Sequence, residues 1–272
     1  MKAIGSSAAW FLTLFAVMLG VAITALVSSA EDQTELPAYL KDAKYITSAK
    51  CKMCHKTQYN LWAETKHAKN AETGCPAPAE GQAPAAEVVY RYVTGYNSAD
   101  GTYAEKGTAC EACHGPGSAH FAAKADQRKA LIVNPANLTT TGQKLSLCGR
   151  CHGQYTIGDK RYADGFVPGM DLLKLDGFKL DAVVPDKPMQ QLNEMSGSKH
   201  FENGVVCLTC HDAHNEKPLE HQLRQPIIDL CTGCHKDKTM AAHAPGAAAG
   251  DTCATCHMPQ GQHLFTKPAP AQ

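Results

Sequence analysis

The hydrophobic pattern of this chain changes after its first thirty residues. Residues 8–27 form a run of twenty residues without a charged side chain, behind the positive start Met1-Lys2 and ahead of the small residues 27–30. This pattern is typical of an export signal, and the run is also long enough to span a bilayer. We predict that residues 1–30 are a signal peptide cleaved near Ala30 or, as the alternative, an uncleaved membrane anchor. Both place the rest of the chain outside the cytoplasm.

After residue 30, no strand-like alternation persists for long. Residues 54–69 contain neither glycine nor proline and predict a helix, whereas most other stretches are interrupted by turn residues. The pattern therefore predicts a mainly α fold with much coil and little β structure.

The composition provides fewer apolar side chains for a hydrophobic core than a globular protein of this size usually has. The whole chain is 44% hydrophobic. Without residues 1–30 and the cysteines, about 36% of the remaining residues are apolar, below the usual 45–50%. Lys and Arg number 26, as do Asp and Glu, which argues against binding nucleic acid through a basic surface. Another buried apolar group must complete the core.

The cysteines indicate what that group is. Twelve of the thirteen fall in six C-x-x-C-H motifs, in which two thiols can attach the vinyl groups of a haem and the following His can ligate its iron. Zinc would not require a His after every pair, and a thioredoxin-like motif explains one pair and not six. We predict six covalently bound haem c groups, held by Cys51, Cys54, Cys110, Cys113, Cys148, Cys151, Cys207, Cys210, Cys231, Cys234, Cys253 and Cys256. Cys75 is left over and receives no function.

The histidines suggest that most or all irons have two imidazole ligands. The motifs supply His55, His114, His152, His211, His235 and His257. The further candidates for the second axial position are His67, His120, His200, His214, His243 and His263. His221 is a seventh spare His, and the sequence does not decide whether His221 or His263 ligates. It also leaves open a Met ligand at Met170, Met195 or Met240.

Spacing predicts that the spare histidines serve neighbouring haems. On a helix, His67 would lie roughly 18 Å from His55, too far to reach the other face of the same porphyrin. His214 follows His211 by three residues, which on a helical turn puts both on one side. His120 follows His114 across Gly115-Pro116-Gly117, a turn that reverses the chain.

The motif positions divide the chain into regions. We predict an N-terminal three-haem region at 31–157, a connector covering the haem core at 158–199, a C-terminal three-haem region at 200–263 and a flexible tail at 264–272. The connector contains neither Cys nor His.

Four segments resemble the multihaem cytochrome c superfamily, which includes the tetrahaem acceptor of hydroxylamine oxidoreductase and decahaem periplasmic cytochromes of metal-reducing bacteria. They are residues 107–120, with Cys-His-Gly-Pro-Gly-Ser-Ala-His, residues 147–152, residues 198–214 and residues 256–259. The likeness spans roughly residues 46 to 263. It implies short helices wrapped around a chain of haems, electron transfer in the periplasm or at the cell surface, closely packed haem pairs, and His120, His200 and His214 as distal ligands.

Two classes of function remain open at this point. A carrier between redox proteins requires every iron to be capped, and the count of spare histidines favours it. A multihaem reductase or oxidase requires one open iron; every motif ends in His, which excludes a Lys-ligated catalytic haem, but not a five-coordinate one. A subunit of an extracellular cytochrome filament, and thus an oligomer, is a third alternative.

Charge and location suggest the kind of partner. Without residues 1–30 the chain has 25 Lys and Arg against 26 Asp and Glu, and haem propionates add negative charge. We expect a redox partner with a basic docking patch and salt-sensitive association. A membrane quinol dehydrogenase or an outer-membrane cytochrome complex fits this description, whereas nucleic acid does not.

Overall fold

The computed structural model describes residues 36–73, 85–215 and 219–266. These residues belong to one compact unit, Leu36–Gln272. The predicted signal or anchor at 1–30, Cys75, and most of the predicted tail lie outside the described residues. Within the described ranges, no helix has the length and apolar character needed to cross a membrane.

Short helices dominate the described part of the chain, and the longest has nine residues. The α-helices are α1 Ala38–Lys41, α2 Ser48–Lys52, α3 Lys56–Ala63, α4 Lys66–Thr73, α5 Ala86–Tyr92, α6 Cys110–His114, α7 Ser118–Ala122, α8 Thr141–Gly149, α9 Gln191–Ser196, α10 Lys199–Glu202, α11 Cys207–Cys210, α12 Ile227–Cys234, α13 Met240–His243 and α14 Cys253–His257. Single 3₁₀ turns lie at Arg128–Ala130, Pro135–Asn137, Leu172–Lys174, Glu220–Gln222 and Pro259–Gly261.

Two small antiparallel pairs make up the sheet structure of these residues. Strand β1 (Val93–Thr94) pairs with β2 (Glu105–Lys106), and β3 (Tyr155–Ile157) pairs with β4 (Phe178–Leu180). The prediction of a mainly α fold with much coil and little β structure is confirmed.

The single helix predicted over residues 54–69 is wrong, because the chain breaks between α3 and α4. The hydroxyl of Thr65 donates to the Trp62 carbonyl at 2.7 Å and accepts from the Ala68 N–H at 3.3 Å. A threonine side chain that bonds locally to the backbone ends one helix and caps the next. The absence of glycine and proline was therefore not sufficient for a continuous helix.

The side-chain core lies in the middle of the chain. Its largest fully buried members are Tyr155, Leu145 and Leu172. Tyr162 and Phe166, from the predicted connector, pack in the same cluster. The segment 158–199 therefore supplies core side chains as well as linking the motifs on either side of it.

A buried carboxylate joins the first motif to the second. Glu111 is 1% exposed and accepts backbone N–H groups from Ile46, Thr47 and Gly117 at 2.7–3.0 Å. Gly115 has a φ of 73°, in the left-handed region that favours glycine, and ends α6 directly after His114. The turn and the carboxylate together fix how the chain leaves the second motif.

Candidate haem sites

Each C-x-x-C-H motif lies on a single turn of helix. In four of them the N–H of the motif His donates to the carbonyl of the first Cys at 2.8–2.9 Å, and the other two motifs are the helices α6 and α14. Residues three and four apart on a helix share one face. The two thiols and the imidazole of each motif are therefore presented on the same side of the turn, as one haem requires.

Five motif histidines face another His across nearly the same distance. Their ring centroids are 5.8–6.1 Å apart. The pairs are His55 with His120, His152 with His67, His235 with His200, His211 with His263, and His257 with His243.

The remaining motif His, His114, does not take part in a ring pair of this kind among the described residues. Burial lowers its pKa, the hydrogen bond to the Val133 carbonyl opposes this, and the charges of His214, His55 and His120 lower the pKa further. Since His55 and His120 pair with each other, His214 is the spare His left near His114.

The spacing of these rings fits a metal ion between them. Two imidazoles that bind one iron from opposite sides, each through a bond of about 2 Å, have centroids roughly 6 Å apart. Direct packing of two rings does not require this separation in every pair. Among the described residues, no three His, Cys, Asp or Glu side chains converge as ligands of a single metal ion. The arrangement therefore suits axial ligation of a haem better than a zinc cage.

Hydrogen bonds orient several of the imidazoles. The Nδ1 atoms of His114, His120, His211 and His257 lie 2.8–2.9 Å from the backbone carbonyls of Val133, Arg128, His221 and Thr266, in that order. A proton on Nδ1 that is shared with a carbonyl leaves the Nε2 lone pair free for a metal. The sequence analysis did not single out Val133, Arg128 or Thr266, and it considered His221 only as a possible ligand.

Burial keeps the candidate ligands neutral. Desolvation is the main cause that lowers the pKa of His67 to about 4 and that of His263 to about 4. A neutral imidazole is the form that binds a metal, so these side chains need not lose a proton at neutral pH. The Nδ1 atoms of His200 and His263 are buried without a hydrogen-bond partner.

His221 differs from the other spare histidines. Its Nε2 lies 3.3 Å from Glu220 Oε1, its side chain is 67% exposed, and its carbonyl accepts from His211. It therefore supports a motif His through its backbone, while His263 occupies the position opposite His211.

The helical turn assumed for His211 and His214 is wrong. Helix α11 ends at Cys210, and His211 is extended with φ −111° and ψ 152°. Asp212 accepts the His214 N–H at 3.0 Å, which forms a local turn in place of a helix. The conclusion drawn from that geometry is unaffected, since His211 and His214 lie near different partners.

The methionines considered as ligands have other environments. Met195 is 5% exposed in the core cluster, and the sulfur of Met170 accepts the Val167 N–H at 3.3 Å. Neither position stands opposite a motif His.

Cysteines of successive motifs lie near one another. The pKa of the first Cys of one motif is raised by the first Cys of the next in the pairs Cys51–Cys110, Cys148–Cys207 and Cys231–Cys253. The second cysteines interact electrostatically in Cys113–Cys151 and Cys210–Cys234. These two kinds of pair alternate and follow all six motifs in their order along the chain.

Two family models match parts of this chain. Residues 50–115 match cytochrome c554 and c-prime, and residues 199–240 match the doubled CXXCH motif. With the fold and the motif geometry, these matches identify the chain as a multihaem c-type cytochrome, in which C-x-x-C-H motifs bind haem covalently.

Individual relatives agree with this class. The chain is 24% identical over 185 residues to the dissimilatory sulfite reductase MccA of Wolinella succinogenes. This alignment covers 57% of this chain and 22% of MccA. It is 27% identical over 187 residues to cytochrome c-554 of Nitrosomonas europaea, in an alignment that covers 57% of this chain and 79% of that cytochrome. The chain thus spans about a fifth of the length of MccA. In fold it is similar to the outer cell wall cytochrome OcwA, with a TM-score of 0.56 and 18% identity over 81% of this chain and 79% of that one.

Proposed function

We propose that this protein binds six haems, each with two axial histidines, and carries electrons between redox partners outside the cytoplasm. The observation that carries the proposal is the pairing of the motif histidines with the spare ones, five of them at 5.8–6.1 Å. When bound, each haem supplies an iron that takes up and releases one electron. The chain's own residues decide what else that iron can do.

The axial histidines favour a carrier over an enzyme. A reductase or oxidase requires an iron with a free position for its substrate, whereas two imidazoles fill both axial positions. The proximal ligands are the six motif histidines, and the distal ligands are His120 for His55, His214 for His114, His67 for His152, His263 for His211, His200 for His235 and His243 for His257.

The neighbouring cysteines support a linear order of sites. Because a Cys of each motif influences the pKa of a Cys in the next, the haem attachment points follow one another from the first motif to the sixth. The first motif and the sixth are the two ends of this series, and electrons would enter and leave there.

The location and partners extend the proposal. The run at residues 8–27 supports export to the periplasm or cell surface, with anchoring to the membrane if the signal is retained. The partners are redox proteins, with a quinol dehydrogenase of the membrane or an outer-membrane cytochrome complex as candidates. Association that depends on charge should slow as ionic strength rises, so an unchanged rate would contradict this part of the proposal.

A haem count and a ligand-binding assay test the proposal together. The mass of the intact, mature protein and its haem absorbance in alkaline pyridine should both give six haems per chain. Carbon monoxide added to the fully reduced protein should leave the spectrum unchanged, because no ferrous iron has an open position. A count below six, or a carbon monoxide complex at one haem, would overturn the carrier with six capped sites.

A further inference from the structure

Arg150 is a buried positive charge within the third motif. It lies between the two cysteines of the third motif and is 6% exposed. The described arginines that form ion pairs with carboxylates are Arg161 and Arg224, both of which are more exposed. A buried charge is costly unless an opposite charge or hydrogen-bond acceptors compensate it.

The surroundings of Arg150 consist of aromatic rings and thiols. Its guanidinium carbon lies 5.6 Å from the ring centroid of Tyr90, and its charge interacts with Tyr45 and with the side chains of Cys113 and Cys151. These thiols are the attachment points of the second and third motifs. The two propionates of a haem leave the macrocycle at the edge opposite the vinyl groups, so the guanidinium of Arg150 stands at the thioether edge and acts on this haem through its charge.

A second arginine acts on the same motif. Arg91 donates to the carbonyls of Cys151 and Gly153, and its charge lowers the pKa of His152 after the larger effect of burial. The third motif is therefore surrounded by positive charge on two sides. Glu111, the buried carboxylate of the second motif, accepts backbone N–H groups from Ile46, Thr47 and Gly117.

The fourth motif has a buried charge of the opposite sign. Glu194 is 4% exposed, accepts the His263 N–H at 2.7 Å, and has its Oε2 3.8 Å from the His263 Nδ1. His263 is the ring opposite His211. Cys148 of the third motif and Cys207 of the fourth lie near each other.

Resting on the proposed haem ligation, we infer that Arg150 and Glu194 shift the reduction potentials of the two neighbouring sites in opposite directions. Arg150 lies beside the cysteines that hold the haem of the third motif, and its positive charge favours the reduced form of that haem because it stabilises the added electron. Glu194 acts through His263 and disfavours reduction at the fourth motif. These two charges therefore favour an electron at the third motif over one at the fourth.

Potentiometric titration of the full haem-loaded protein tests this inference. Arg150→Gln should move one reduction step to lower potential, by at least a tenfold change in its equilibrium constant, about 59 mV for one electron. Glu194→Gln should move one step to higher potential. It keeps an oxygen that can accept the His263 N–H, so its effect reports the charge. Arg161→Gln and Glu87→Gln are the matched controls at more exposed positions and should leave every step in place.

A conservative variant separates charge from packing. Arg150→Lys keeps the positive charge, so the equilibrium constant of this reduction step should stay within threefold of the wild-type value. Unchanged steps in Arg150→Gln, equal shifts in Arg150→Gln and Arg150→Lys, or shifts of the same sign in Arg150→Gln and Glu194→Gln would overturn the inference. Haem count and the low-spin signal, measured on every variant, show separately whether the proposed ligation itself has failed.

Discussion

The N-terminal half of the described chain, up to residue 206 with the first three motifs, and the C-terminal half, residues 207–266 with the last three, are stabilised in different ways. Buried apolar side chains run from Leu40 to Val206, and no described residue after Val206 is buried. Yet both halves hold three motifs and the same kind of His pair. The N-terminal half combines a side-chain core with its cofactor sites, whereas the C-terminal half has the sites with almost no side-chain core. The haems themselves must supply the buried apolar surface there.

Loss of haem attachment should have the largest effect and should separate the two halves. In protein whose twelve motif cysteines are changed to alanine, we expect residues 207–266 to exchange amide hydrogens at rates typical of an unfolded chain. Any remaining protection should be confined to the cluster around Leu145 and Tyr155, because that cluster packs side chain on side chain. Hydrogen exchange by mass spectrometry measures this, and protection of residues 207–266 equal to that in the haem-loaded protein would contradict the comparison.

Removal of a buried core side chain should give the next largest effect. Leu145 is fully buried, so Leu145→Ala should lower the free energy of unfolding by about 2–5 kcal/mol. Val184 is 47% exposed, and Val184→Ala should change the free energy of unfolding by no more than about 0.5 kcal/mol. Denaturant midpoints of the haem-loaded proteins provide the comparison. Equal midpoints would mean that the haems alone stabilise the N-terminal half.

Distal histidine variants compare a buried site with an exposed one. His67→Ala and His243→Ala should each convert about one sixth of the low-spin ferric signal to high-spin. Added imidazole should restore the low-spin signal faster in His243→Ala, because His243 is exposed while burial dominates the environment of His67. His221→Ala is the control and should leave the spectrum unchanged. A high-spin signal in that variant would assign His221 a role as ligand.

A pH effect in the N-terminal core should be the smallest. Desolvation raises the pKa of Asp171 above its usual value, and the Leu173 N–H opposes this. The folded protein therefore holds this proton to higher pH than the unfolded chain, and stability falls as pH rises between the two pKa values. The amide in Asp171→Asn carries no charge but can still accept the Leu173 N–H. At pH values above the pKa of Asp171 in the folded protein, this variant should therefore be more stable than the wild type. Denaturant midpoints measured across pH would show this. A difference in midpoint between Asp171→Asn and the wild type that does not grow with pH would contradict the raised pKa of Asp171.

The sequence predicted the chemistry of the sites better than their arrangement. The C-x-x-C-H spacing indicated covalent haem attachment, because that spacing is a local property, whereas the axial roles of the spare histidines stay a prediction. The partner of each motif His was not available from spacing, because His67 and His152, or His211 and His263, are brought together by the folded chain. The break at Thr65 depends on one hydroxyl, and the buried charges of Arg150 and Glu194 become visible only when burial is known.

The most direct test of the central claim is the integrated electron paramagnetic resonance spectrum of the fully oxidised protein. The proposed ligation predicts six low-spin ferric haems per chain and no high-spin signal, because two imidazoles bind every iron. One haem that integrates as high-spin, at full haem content, would show an open iron. It would contradict the carrier with six capped haems in favour of an enzyme.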